Sequence, residues 1–332
     1  MAYLNKKIGA FIIPTGIGAA VGGYAGDAGY IVRKFAKHFD LIVNPNVVNA
    51  GGFSSITSNM LYTEGYTMDK FFKGVVNLIP SESNKIGIIY DKAIPKDVLN
   101  IHINTQNAVK MVYGIDVASF VITEKEVGVD FYINKEGISV GEVKNISTVG
   151  EACEKLLERG CNAIAIVCLF KDSQSDNIQY SNGVGVDPVG GVEAIISHYI
   201  SKYYQVPCAH SPAFEDFQIY SEPVHPKSSA EYITPTFLPC ILIGLAQAPH
   251  ITQNLNIGIN ISNLDFLIMP YDALGATPVF ECIKKNIKIY AIKNNKTVLD
   301  VTKEKLFQNS NIIEVENYEK CLELLLKCQQ LR

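Results

Sequence analysis

Arginine is nearly missing from this 332-residue chain: Arg33, Arg159 and Arg332 are the only ones among 29 basic residues. A multi-arginine fork for a phosphate or dicarboxylate therefore cannot be built within one chain, so an anion has to be held by backbone N–H groups or lysine. There is no basic block, and the net charge of -4 argues against a general binder of nucleic acid or membrane surfaces. The eight cysteines contain no CxxC pair, and several sit in apolar runs, as buried reduced thiols do. The apolar run near the N-terminus is too short for a signal peptide, and "TFLPCILIGLA" is broken by proline and glycine well short of a membrane span. These absences predict a reducing, cytoplasmic location. Neither HxxxH nor HExxH occurs, so no metal is expected, and a hard cation on Asp91, Asp187 and Asp272 has nothing positive in its favour.

What is present is a chain 48% apolar and 19% charged, able to bury a sizeable core. Its first distinctive stretch is "IIPTGIGAAVGGYAGDAG", residues 12–29, with six glycines directly after a short apolar run. Glycine at that density marks backbone bent through special angles or brought close to something else. The run 8–13 reads as a buried strand, Asp27 as a helix N-cap, and Ile31, Phe35 and Phe39 as one helix face before a strand at 41–43. A strand ending at Asp91, a helix opened by Pro95 and stopped by Gly114, and a strand at 117–122 repeat the theme. Alternation over 127–140 around "NKEG" predicts a hairpin. Thr148 and Glu151 have the spacing of a capping box. A strand at 163–168, a helix at 192–204, a strand–turn–helix–strand unit whose helix ends at Asn286, a strand at 312–315 and a helix at 318–330 complete the pattern.

Strands alternating with helices predict an α/β fold: mostly parallel sheets with helices on both faces, Rossmann-like and three-layered, with a β-hairpin insert. The expected division is an N-terminal α/β domain, 1–145, that carries the hairpin, and a C-terminal α/β domain, 146–332, with the site between them. Ligands of such sheets sit beyond the C-terminal strand ends. Three loops there qualify, 15–27, 187–191 and 271–277. The long polar loop 171–191 and the Pro-, Ser- and Glu-rich stretch 211–235 are further functional candidates, the second as a lid.

Dinucleotide binding fails on detail. Gly16 and Gly18 supply G-x-G, but Val21 stands at the third glycine position and Asn44 where an acidic ribose partner is needed. No Walker lysine follows, so no nucleotide cofactor is expected. What remains is an anion nest at a helix N-terminus, built by Thr15, Gly16, Gly18, Gly190 and Gly191. Asn46 and Asn49 in "NPNVVNAGG", and Asp272 and Gly275 in "PYDALGA", are further candidates for substrate contact. They also read as turn formers. Glu64 and Asp187 are candidate acid or base groups; Asp187 reads equally as an N-cap, and His198 as packing. Cys208 and His210 lie two apart and would share a strand face, which brings a thiol and an imidazole to one pocket. "GCNAIAIVC", ending at Cys168, resembles the strand that bears a catalytic cysteine in the aspartate/glutamate racemase superfamily. In that family two thiols flank a substrate carbon and shuttle its proton. Leu169 and Phe170 depart from the polar residues usual there, and a buried core thiol is the plainer reading.

Eight segments in order, "PTGIGA", "NPNVVNA", "LYTEGY", "GVDPVGGVEAIISH", "PCAHSP", "TFLPCILIGLAQAP", "PYDALGA" and "NKTVLDVT", resemble the family designated domain of unknown function 3326. Asn44 and Ala276 depart from its pattern, where histidine and glycine are frequent. The resemblance implies one architecture over nearly the whole chain and no activity. The residues themselves lead to an enzyme that acts on a small polar or anionic metabolite by proton transfer, an isomerase or lyase without cofactor. Asp187, His210, Glu64 and Cys208 would be catalytic. A cysteine-dependent racemase and a non-catalytic metabolite-binding or regulatory protein are the alternatives. The expected partner is a small-molecule substrate, not nucleic acid or membrane, and a homo-oligomer is compatible with all three readings.

Overall fold

A computed structural model describes residues 6–24, 26–170, 180–184, 186, 187, 189–215, 222–306 and 311–330. Two parallel sheets organise these residues. The larger has six strands in the order Ile312–Val315, Lys288–Ile292, Leu264–Pro270, Ile8–Phe11, Asp40–Val43 and Met60–Tyr62. The smaller has four, Cys208–Ala213, Ala163–Leu169, Ile86–Tyr90 and Val117–Ile122. All neighbouring pairs within both run parallel. The expected α/β architecture with helices on both faces is thus present, and so is the hairpin, Val129–Ile133 paired antiparallel with Ser139–Val143.

The strands are short apolar runs because both of their faces are covered. Along the first strand Ala10 and Ile12 join one buried cluster and Phe11 and Ile13 another, the period of two that a strand imposes. The cluster holding Phe11 is continuous across both sheets, through Tyr62, Leu242, Ile88 and Val167. A third cluster covers the far face of the small sheet with helices Ile146–Glu158 and Gly190–Tyr204.

The division at 145 and 146 does not match how the sheets partition. The large sheet takes strands from both ends of the chain, whereas the small sheet is made by its middle, and strands 117–122 and 163–169 lie in that same sheet on either side of the expected boundary. The chain begins in the centre of the large sheet, leaves for the small one, and returns to the opposite side of its first strand. Parallel order therefore reverses between Ile8–Phe11 and Leu264–Pro270, the kind of switch point at which loops part and leave a crevice.

Two predicted caps are absent, each because the side chain has another partner. Helix Ile146–Glu158 starts before Thr148, whose hydroxyl accepts from the Lys125 N–H at 3.2 Å inside the fold. Helix Gly29–Ala36 starts after Asp27, which accepts from the Gly22 N–H at 2.6 Å and so closes the glycine-rich loop on itself. By contrast Pro95, Gly114 and Asn286 delimit their helices as expected, with Gly114 and Asn286 in the left-handed region. Helix Gly190–Tyr204 begins two residues earlier than its apolar pattern suggests. Residues 171–179 and 216–221, parts of the two candidate functional loops, lie outside the described residues.

Candidate functional site

The loops at the carboxyl ends of the large sheet's central strands face strand Cys208–Ala213 and helix Gly190–Tyr204 across a cavity of about 360 Å³. The large sheet contributes Thr15 and Gly16 after its first strand, Asn46 and Asn49 after the second, and Glu64 after the third. The other wall carries Asp187, Gly190, Glu193, Cys208 and His210.

Close backbone approach explains the glycines. Gly16 has φ +73°, a conformation that favours glycine. A Cβ on Gly191 would sit 2.3 Å from the Ser139 carbonyl oxygen, so the hairpin can press against the helix only because that atom is missing. The Gly191 N–H donates to Ser139 Oγ at 3.0 Å, and the Ser139 N–H reaches the Gly16 carbonyl at 3.4 Å. Gly16 and Gly190 therefore meet at one rim as expected, but the Gly191 N–H is already used and is not part of an open anion nest.

Besides Gly191, three predicted contacts lie elsewhere. Gly18, Asp272 and Gly275 do not line the cavity. Asp272 is buried and accepts from both the N–H and the hydroxyl of Thr297 at 2.9 Å, so it fastens one loop to another. Gly275 packs against Val301. Asn46 lines the cavity while its amide donates to the Ile13 and Gly22 carbonyls, shaping the glycine loop. Asn44 likewise clamps Ile13 through both of that residue's backbone groups. Asn49 donates to the Tyr62 hydroxyl at 3.0 Å and leaves its buried Oδ1 without a hydrogen-bond partner.

Glu64 lines the cavity with Oε2 3.6 Å from His198 Nε2, but both of its oxygens are already engaged. Its two oxygens accept from the Tyr66 and Thr67 N–H groups at 2.6 Å each, capping helix Gly65–Phe72, the use to which an N-terminal carboxylate is well suited. Cys208 and His210 do share the cavity face, but burial pushes the Cys208 thiol well up, away from the thiolate a nucleophile needs. Cys168 does not line the cavity and its thiol is raised likewise. In register Cys168 stands opposite Pro212 and Cys208 opposite Ile164; the pair does not converge on one carbon as two racemase thiols do.

The chemistry concentrates instead around His210. Its Nδ1 lies 3.0 Å from Ser197 Oγ, and that hydroxyl reaches the Glu193 and Ala194 carbonyls at 3.3 Å. With the single Ser197 proton turned to its own helix, Nδ1 carries the imidazole hydrogen and Nε2 the lone pair, a tautomer assigned from the network. Nε2 faces Glu193 Oε2 at 3.5 Å. Burial drives the two groups apart: His210 falls to about 3 and stays neutral, while Glu193 is held well above the usual carboxyl range by burial, Asp187 and Glu231. Both shifts disfavour the charged forms, so the surroundings of the pair work against an ion pair. Asp187 is also raised by burial, partly offset by the Val189 N–H it accepts at 3.0 Å. Glu231 is pushed up to about 8 by burial and Asp187.

Glu193 and Glu231 escaped sequence reasoning. Glu193 could have been found, since a carboxyl sits on the stripe it makes with buried Ile196 and Ile200 and an acid inside an apolar stripe is anomalous. Glu231 comes from the irregular stretch 211–235, where no period singles it out. Among the described residues no group of three or more His, Cys, Asp or Glu has the arrangement of a metal site.

A model of proteins of unknown function, DUF3326, matches residues 9–330. The chain belongs to this family. An uncharacterized lipoprotein of Synechococcus sp. is 37% identical over 296 residues, covering 87% of this chain and 82% of that protein. No solved structure matches. The lipoprotein relative overturns the expectation of a cytoplasmic location. Free cysteine was a poor guide because seven of the eight thiols are buried, shielded from a dissolved oxidant. Among the described residues no helix is long and apolar enough to cross a membrane.

Proposed function

We propose that the protein is an isomerase that moves a proton within a small polar metabolite, with His210 as base and Glu193 as acid. The supporting observation is the 3.5 Å juxtaposition of His210 Nε2 and Glu193 Oε2 on the cavity wall. Two titratable groups whose surroundings push them in opposite directions are the signature of assigned acid and base roles. Nε2 takes a proton from a substrate carbon, and Glu193 delivers its own to the carbon that gains one. The resulting carboxylate and imidazolium face each other and stabilise the intermediate charge. Proton passage from imidazolium to carboxylate then restores the enzyme, and both groups exchange with solvent between turnovers. His210 is a weak base while Glu193 keeps its proton, so the two transfers are coupled. Asp187 holds the helix entrance that carries Glu193, and Ser197 fixes the imidazole tautomer.

The test is incubation of the purified protein with a metabolite mixture in deuterium oxide, scored by mass spectrometry for compounds that gain a deuteron. Exchange is expected in wild type and is expected to fall by about 100-fold or more in His210→Ala and Glu193→Gln. Undiminished exchange in both variants overturns the assignment; a compound retained unchanged makes this a binding protein instead.

A further inference from the structure

The anion expected from the sequence finds little to hold it. Among the described residues that line the cavity there is no lysine or arginine, while Asp187, Glu193 and Glu231 all lie on its wall. Lys227 is engaged outside that lining, its ammonium on the Ala20 carbonyl and over the Tyr24 ring. The three acids act on one another, Asp187 and Glu231 on Glu193 and Asp187 on Glu231. An anionic ligand would add to that repulsion.

A second observation is independent of charge. Glu193 is 6% exposed and its Oε2 faces His210, but its Oε1 is buried with no hydrogen-bond partner. A buried acceptor left empty costs on the order of 1–3 kcal/mol, so native folds rarely keep one without a use. The missing partner has to be a donor, and one able to sit among three acids. Aromatic faces complete the surroundings: Tyr24 and Tyr180, with ring centroids 5.1 Å apart, and Tyr62 line the same space.

We infer that the cavity binds a small organic amine in its protonated form, its ammonium group donating to Glu193 Oε1 and flanked by the carboxyls of Asp187 and Glu231. An ammonium ion supplies three N–H donors and the positive charge that the wall lacks. It is also attracted to tyrosine faces. Its arrival lets Glu231, raised to about 8, give up a proton. This names a substrate class for the isomerase reading and rests on it for the chemistry, but binding is measured separately.

The experiment is calorimetric titration of the full chain with three sets of two- to six-carbon probes: amine and amino-alcohol hydrochlorides, the matching sodium carboxylates, and the matching polyols. Amines are expected to bind with proton release, read from the dependence of the heat on buffer ionisation, and carboxylates not to bind. Glu231→Gln and Asp187→Asn, each checked for an unchanged circular dichroism spectrum, are expected to weaken amine binding at least tenfold. Tighter binding of carboxylates or polyols overturns the inference, as does failure of every amine or undiminished amine binding in both variants. Amine binding without deuterium exchange sinks the isomerase reading alone; exchange confined to compounds that lack an amine sinks this one alone.

Discussion

Two sets of buried acids behave differently in this protein. Asp91 accepts from the Ala93, Val127 and Leu169 N–H groups, and Asp272 accepts from the Thr297 N–H and hydroxyl. Asp187, Glu193 and Glu231 line a cavity, Asp187 and Glu231 raise the proton affinity of Glu193, and a Glu193 oxygen is left empty. Both sets follow strands or enter helices of the same α/β pattern. What separates them is satisfaction at Glu193: an acid that collects N–H donors fastens loops, and one with an empty oxygen leaves an acceptor open to a ligand.

The largest effect that would break this contrast lies in the first set. Asp91→Ala strands three N–H donors, each costing about 1 kcal/mol or more, so urea unfolding should show a stability loss of about 3 kcal/mol. A loss as large in Glu193→Gln would erase the distinction. Glu193→Gln is instead expected to be as stable as wild type or more so, because it removes a group that burial already disfavours as an ion, while deuterium exchange collapses.

Titration sharpens the same point with a smaller effect. Glu231 has a raised value of about 8 against an ordinary 4.5. Between those values the folded state holds more protons than the unfolded one, so this group's contribution to stability falls as pH rises through that window. His210, lowered to about 3 from 6.5, has the opposite sign: below 6.5 the unfolded chain binds the extra proton, and stability rises with pH over that window. From pH 6.5 to 8 the Glu231 contribution stands alone of the two. The melting temperature of wild type should drop there by about 1–2 °C more than that of Glu231→Gln; equal slopes would remove Glu231 from the account.

The smallest effect belongs to Cys208. Its thiol is held protonated, so Cys208→Ala should exchange protons within about twofold of wild type. Loss of exchange there would return the chemistry to sulfur.

The fold was readable because its signals are local. Apolar runs bounded by Pro95, Gly114 and Asn286 mark elements whose ends those residues dictate through backbone angles alone. The misread caps at Asp27 and Thr148 show where locality stops, since each side chain is taken by a backbone group that the helix pattern does not reveal. The site was half readable. Gly16 and Gly190 meet because loops after parallel strands share a rim, and His210 joins them from within strand Cys208–Ala213. Gly275 and Asp272 lie off that cavity although their loop reaches it through Ala276, because Asp272 is taken by Thr297 and Gly275 packs on Val301, partners one sequence does not reveal. Strand order, invisible in one sequence, also places strands from both sides of the 145/146 division in one sheet.

Infrared difference spectroscopy between wild type and Glu193→Gln at neutral pH addresses the acid state directly. A carbonyl band of protonated carboxylic acid that is present in wild type and lost in the variant is the predicted result. A difference confined to ionised carboxylate bands would contradict it and leave His210 facing an ordinary anion.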